Sequence, residues 1–210
     1  MLKNKIFISI TILLIFHLVA IVGIGFGLNK DMIELSWMNL LLTALIVFYN
    51  KNERTKKFIF YSAFVFTIGL LVEIIGVATG FPFGNYKYGN SLGSKIFEVP
   101  IVLGLNWWIL IYSSIHSSRI FTKHIMTRIF LAPFLMLGLD LLIEQLCSKL
   151  DFWYWHENVI PFKNYVSWYI ISLALIALYF YWIKPAKTNK VAIASLVIQF
   201  LFFAVLNLIL

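Results

Sequence analysis

Apolar residues in this chain gather in long runs; they neither alternate with polar ones nor keep to one helical face. Seven such runs approach the roughly 20 residues that a helix needs to cross a bilayer. They lie near Ile6–Leu28, Ile33–Tyr49, Phe58–Thr79, Val99–Ile115, Ile125–Leu146, Tyr165–Ile183 and Val191–Leu210, the second being the shortest. Within lipid the backbone must satisfy its own hydrogen bonds, so each run predicts a helix. The opening Met-Leu-Lys-Asn-Lys resembles the start of a signal peptide, but the apolar run behind it is too long and no small-x-small site follows. The expectation is an all-α polytopic membrane bundle of about seven transmembrane helices, forming one integral-membrane domain over residues 1–210.

Composition agrees with this reading. Of 210 residues 61% are hydrophobic and 12% charged, and the mean hydropathy is +0.90, more apolar surface than a water-soluble domain of this size could hide. The net charge of +8 is unevenly placed. Lys3, Lys5, the run Lys51–Lys57, Arg119, Lys123, Arg128, Lys184, Lys187 and Lys190 fall on the side of the N-terminus, and few basic residues fall on the other. The positive-inside bias puts the N-terminus in the cytoplasm and, with an odd number of spans, the C-terminus outside. The short Lys51–Lys57 run, wedged between two spans, reads as this topology signal and not as a nucleic-acid site.

Acidic residues are distributed differently. Glu73, Asp140 and Glu144 lie inside predicted spans, all toward the outer half. Each costs roughly 2.5–3.5 kcal/mol at mid-depth, somewhat less toward the interface, so a common depth for all three calls for an explanation. Any single one could serve only to join helices by hydrogen bonds; the cluster points to function. Asp140 and Glu144 are four apart and share a helix face. Gly69, Gly76 and Gly80 place Glu73 on a small-residue stripe that a neighbouring helix could approach closely. Carboxyls crowded away from water share protons, and a buried neutral carboxylic acid is a proton donor.

Two loops cover this level, Gly80–Phe97 and Cys147–Asn164, both rich in aromatic residues. Phe83, Tyr86 and Tyr88 are placed to roof the acids. The faces of Trp153, Trp155 and Trp168 can stabilise a cation by about 2 kcal/mol when desolvated. Asn106 and Trp107 begin a face that continues through Ser113 and Ser117, either lining the bundle interior or contacting a helix. Other chemistries find little support. The histidines are scattered without metal-ligand spacing, and no metal or cofactor is expected. "GIGFG" at Gly23–Gly27 sits in an apolar helix without the strand–turn–helix context of a dinucleotide loop. The last span lacks the lysine of a retinal protein, and Asp140-x-x-x-Glu144 is not the repeated aspartate motif of a membrane prenyltransferase.

"EIIGVATGFPFGNYKYGNSLGSKIFEVPIVLGLNWW", from Glu73, and "DLLIEQLCSKLDFWYWHENVIPFKNYVSW", from Asp140, resemble the two signatures of the carotenoid biosynthesis family of membrane carotenoid 1,2-hydratases. That family includes bisanhydrobacterioruberin and gamma-carotene hydratases. The first block matches at Glu73, Gly76, Thr79, Gly80, Phe83, Gly84, Tyr86, Tyr88, Leu92, Gly93, Pro100, Asn106 and Trp107. The second matches at Asp140, Glu144, Trp153, Trp155, Pro161, Asn164 and Trp168, while Gln145 stands where a proline would be expected. The resemblance runs from about Gly69 to Trp168. It implies water addition to the terminal 1,2 double bond of an acyclic carotenoid end of the lycopene, gamma-carotene or bacterioruberin-precursor type. Catalysis would fall to Glu73, Asp140 and Glu144, with Asp140 or Glu144 as acid and Glu73 positioning or deprotonating water. Thr79, Phe83, Tyr86, Tyr88, Asn106, Trp107, Trp153, Trp155, Asn164 and Trp168 would bind substrate. The implied partners are a lipophilic carotenoid, water, the bilayer of a bacterial or archaeal cytoplasmic membrane and other enzymes of the pathway, with no nucleic acid. A lycopene-type cyclase would use the same protonation, and a carotenoid- or lipid-binding membrane protein would use the acids only to line a path.

Overall fold

The computed structural model describes residues 2–25, 27, 30–53, 55–183 and 187–210, without the side chains of residues 2, 3, 30 and 31. Phe26, Leu28, Arg54 and Lys184, and the side chain of Lys3, which entered the sequence reading, lie outside the described residues. Seven α-helices occur among those described: α1 Leu2–Gly25, α2 Ser36–Tyr49, α3 Lys56–Thr79, α4 Val102–Phe121, α5 Ile125–Glu144, α6 Phe162–Trp182 and α7 Lys190–Ile209. Each coincides with a predicted run. The short second run is extended at its start by a 3₁₀ turn, Lys30–Leu35. The fourth begins three residues late because Val99–Pro100 is held as a strand against Lys95–Ile96.

Local chemistry sets the ends. Thr55 caps α3 by accepting the Phe58 N–H at 3.3 Å, and Gly80 ends it in the left-handed region at φ 70°, where a Cβ would be strained. Asn189 caps α7 by accepting the N–H groups of Val191 and Ala192 at 3.0 and 3.1 Å. Pro161 precedes α6 and starts it at Phe162, ahead of the predicted Tyr165.

Six of the helices are long and apolar enough to cross a membrane, and all but α4 are among them. The exception has a physical reason. Helix α4 is the central post, packed against α2, α3, α5, α6 and α7, and nearly every position from Val102 to Ser118 is buried. A helix that meets protein on all sides need not be lipophilic, so it can carry Ser113, Ser114, His116, Ser117 and Ser118 inside the bundle. Asn106, Ser113 and Ser117 share one face of α4, and Ser114 and Ser118 widen it into a broad arc. Ser113 meets Ser195 of α7 at 3.0 Å. The outer helices turn large apolar side chains such as Phe7, Phe60, Phe134 and Leu201 outward, where lipid takes the place of water.

At the end of the bundle that carries the N-terminus, the α2–α3 connection sends Glu53 inward. Its carboxylate accepts the hydroxyls of Tyr112 (α4) at 2.6 Å and Tyr179 (α6) at 2.7 Å, with His116 Nε2 at 3.6 Å. His116 Nδ1 accepts the backbone N–H of Asn189, so the ring proton sits on Nε2 and faces the carboxylate. Four separate parts of the chain are tied together here.

Candidate active site

The other end of the bundle holds Glu73, Asp140 and Glu144. Helix α3 presents Glu73, and α5 presents Asp140 and Glu144 one turn apart; all three are at least 94% buried, with exposures of 3%, 5% and 6%. Together they line a cavity of about 40 Å³, walled also by Phe83, Asn106, Ile143, Asn164 and Trp168.

Two loops become a roof by pairing. Strand β1, Tyr86–Tyr88, runs antiparallel to β4, Trp153–Trp155, with Tyr86 opposite Trp155 and Tyr88 opposite Trp153. Strands β2, Lys95–Ile96, and β3, Val99–Pro100, form a separate small pair. Side chains alternate along a strand, so Tyr86, Tyr88, Trp153 and Trp155 all point into the cavity. Lys87 and Tyr154 point away, and Tyr154 instead donates its hydroxyl to Asp151 at 2.7 Å. Asp151 also accepts the backbone N–H groups of Asn90 and Ser91 at 2.7 and 3.2 Å, which pins one loop to the other. Nothing in the local sequence marked Asp151 for that task.

The three carboxyls are served unequally. Glu73 Oε2 accepts the hydroxyls of Tyr86 and Tyr88 at 2.6 and 2.7 Å, and Oε1 accepts Trp107 Nε1–H at 3.0 Å. Glu144 Oε2 accepts the indole N–H groups of Trp155 and Trp153 at 2.7 and 3.2 Å, while Oε1 accepts Asn164 Nδ2–H at 3.1 Å. Every one of these partners is a donor. Asp140 differs: its Oδ2 is buried with no hydrogen-bond partner among the described residues. Burial and the Glu73 charge push the Tyr86 and Tyr88 phenols far up, so both stay protonated and keep donating. Just beyond α5, burial and then the Glu144 charge raise the Cys147 thiol to about 12, which keeps it from acting as a thiolate nucleophile.

Of the residues singled out in the sequence, the structure brings together Glu73, Asp140, Glu144, Phe83, Tyr86, Tyr88, Asn106, Trp153, Trp155, Asn164 and Trp168. Trp107 stands behind this wall: it stacks on Trp168 at 4.1 Å between ring centres, 4° from parallel, and holds Glu73. Thr79 lies apart, exposed, with its hydroxyl on Ile75 O at 2.7 Å at the end of α3. Among the described residues no three His, Cys, Asp or Glu side chains are grouped as ligands for a metal ion.

Residues 33–210, which contain every wall of the cavity, match the family model described as carotenoid biosynthesis protein. The chain belongs to that family. No curated protein and no solved structure matches it. This carotenoid biosynthesis protein has its family match over α2–α7, and α1 precedes the matched stretch.

The small-residue stripe on α3 is filled by rings, not by a bare helix backbone. A Cβ at Gly69 would stand 2.5 Å from Trp107 Cγ, and one at Gly76 would stand 2.6 Å from Tyr86 Oη and 2.9 Å from Phe83 Cδ2. Gly76→Ala must therefore push Tyr86 off Glu73, and the expected cost is about 1–3 kcal/mol by overpacking. Gly138→Ala is the control, because its Cβ would meet Phe200 at an ordinary 3.5 Å. Thermal unfolding of both variants in detergent should show a lowered midpoint for Gly76→Ala alone.

Proposed function

We propose that this membrane protein adds water across the terminal 1,2 double bond of an acyclic carotenoid end. The observation that carries the reading is the unequal service of three buried carboxyls: Glu73 and Glu144 are saturated with donors, and Asp140 is not. Membership of a carotenoid biosynthesis family supplies the substrate class.

In this reading Asp140 carries the proton. Its O–H bond breaks as the alkene π pair forms a C–H bond at carbon 2, which leaves a tertiary cation at carbon 1. Negative charge on Glu73 and Glu144 faces that cation, and the indole and phenol faces of Trp168, Trp155 and Tyr86 stabilise it, by about 2 kcal/mol for a desolvated ring. A water oxygen then bonds to carbon 1 and gives its proton to Glu144, whose position one turn along α5 lets the proton return to Asp140. Atoms balance as alkene plus water to tertiary alcohol, with no change of oxidation state and no cofactor. Glu73 holds the roof in register through Tyr86 and Tyr88 while keeping its charge. The protein works in a bacterial or archaeal cytoplasmic membrane, with the carboxyl chamber toward the outer face, in keeping with basic residues at the opposite end.

The test is co-expression with a pathway that makes an acyclic carotenoid, followed by mass analysis of the pigments. The expected product has gained one water. A product of unchanged mass with altered retention would replace hydration by cyclisation, and wholly unchanged pigment would leave only binding.

A further inference from the structure

A second cavity, of about 400 Å³, lies between α1, α2, α4, α5 and α7. That is within the roughly 300–1,000 Å³ of small-molecule sites. It abuts the carboxyl chamber: Leu103, Asn106, Ile143 and Trp153 line both. Its far walls are apolar, built from Ala20 and Ile24 of α1, Leu40 and Leu42 of α2, and Phe202 and Phe203 of α7. Its rim includes Phe16, Val19, Leu35 and Met38, which are 51%, 51%, 48% and 49% exposed on the lipid-facing side. Helix α1 packs mainly along α7 and meets the second span more through its 3₁₀ turn Lys30–Leu35 than through α2, so the seam between α1 and the body of α2 is the weakly closed side.

We infer that this cleft holds the polyene tail of the substrate, which slides in from the lipid between α1 and α2 until its terminal alkene reaches the carboxyl chamber. The inference rests on the hydration reading for the identity of the reacting end. The two cavities adjoin across Leu103, Asn106, Ile143 and Trp153, so an occupant of the larger one brings its leading end up to a chamber of three acids. A fatty acid or an anionic lipid headgroup would bring negative charge against those carboxyls, whereas a neutral hydrocarbon end meets no such repulsion. A lipid-facing rim suits a ligand that partitions into the bilayer and never crosses water. Helix α1 thereby becomes a substrate wall, although it lies outside the stretch that matches the family.

The experiment uses the full chain, purified in detergent from cells making an acyclic carotenoid, with visible absorbance of the retained pigment read per protein. Ala20→Trp should fill the cleft and lower retention by about tenfold, the factor set by about 1.4 kcal/mol. Gln199→Leu works in the opposite direction. Gln199 is 5% exposed, lines the cleft, and its Oε1 is buried with no hydrogen-bond partner among the described residues. Replacing it by leucine makes the wall wholly apolar and should raise retention without depending on a bulky insertion. Phe7→Trp, on the 71% exposed outer surface of α1, should retain pigment like the parent. Unchanged retention in Gln199→Leu together with unchanged retention in a monodisperse Ala20→Trp would overturn the cleft, as would mass detection of a phospholipid there in place of pigment. Product mass keeps the two readings separate. Hydration with retention indifferent to both cleft variants removes the cleft alone. Retention sensitive to both, with no water ever added, removes the reaction alone.

Discussion

Asp140→Asn is expected to stop water addition, by a factor of about 10²–10⁴, while the protein stays folded. The substitution keeps the shape of the side chain and removes only its capacity to give up a proton. Because Asp140 Oδ2 has no hydrogen-bond partner among the described residues, the change orphans no donor there. The thermal midpoint should therefore hold or rise. Glu144→Gln makes the informative contrast. The two indole N–H groups of Trp153 and Trp155 both converge on Glu144 Oε2, and Asn164 donates to Oε1. An amide can turn only one oxygen to these donors, and its NH₂ must face at least one of them. A donor left unsatisfied in a buried site costs about 1–3 kcal/mol, so Glu144→Gln should lose both activity and stability. Pigment mass from cells and thermal unfolding in detergent read the two effects separately. Full conversion by Asp140→Asn would remove it as the acid and move that role to one of the two glutamates.

The sequence exposes the helices more plainly than the site, for reasons that can be followed residue by residue. A helix facing lipid must be apolar over its whole length, so α1, α3, α5, α6 and α7 announce themselves as runs. Helix α4 carries a weaker signal because protein surrounds it, and the serines on one broad side of it lower its hydropathy. The acids were legible because a carboxyl in lipid is costly enough to demand a reason. The roof was legible only as aromatic-rich loops. Tyr-Lys-Tyr and Trp-Tyr-Trp do alternate with the period of a strand, yet each is three residues long, and no local rule pairs Tyr86 with Trp155 across such a separation. Thr79 shows the opposite case: its place in a family signature suggested substrate contact, and the structure puts its hydroxyl on the end of α3. Glu53 stands within the basic run Lys51–Lys57, where nothing in the sequence distinguishes it. Its partners Tyr112, Tyr179 and His116 come from helices far along the chain, and no spacing in the sequence connects them.

Glu53→Ala should accordingly destabilise the protein by several kcal/mol, about 1–3 kcal/mol for each buried donor left without its acceptor. The side chain is only 2% exposed, and its loss would leave the Tyr112 and Tyr179 hydroxyls without their acceptor. Glu53→Gln keeps one oxygen for one tyrosine and turns an NH₂ toward the other, so it should fall between the parent and Glu53→Ala. The pH dependence carries a definite sign. Burial alone would raise this carboxyl, but the hydrogen-bonding contacts of His116, Tyr112 and Tyr179 outweigh it and hold the group down to about 2 from an ordinary 4.5. A carboxyl depressed in the folded state binds its proton more readily when unfolded, so its stabilisation is complete above about pH 4.5 and lost as the pH falls toward 2. Other acids titrate in the same range, and subtracting the Glu53→Gln unfolding curve from that of the parent isolates this one. The difference should be flat from neutrality down to about pH 4.5 and shrink below it. A difference that instead grows on acidification would mean that the carboxyl is held as the neutral acid, with the tyrosine hydroxyls oriented by some other acceptor. Because Glu53 lies just before α3 and Glu73 toward that helix's other end, beside Asp140 and Glu144 of α5, the Gln variant that remains folded near neutral pH should, under the proposed reaction, still add water, which separates the clasp at one end of the bundle from the carboxyl chamber at the other.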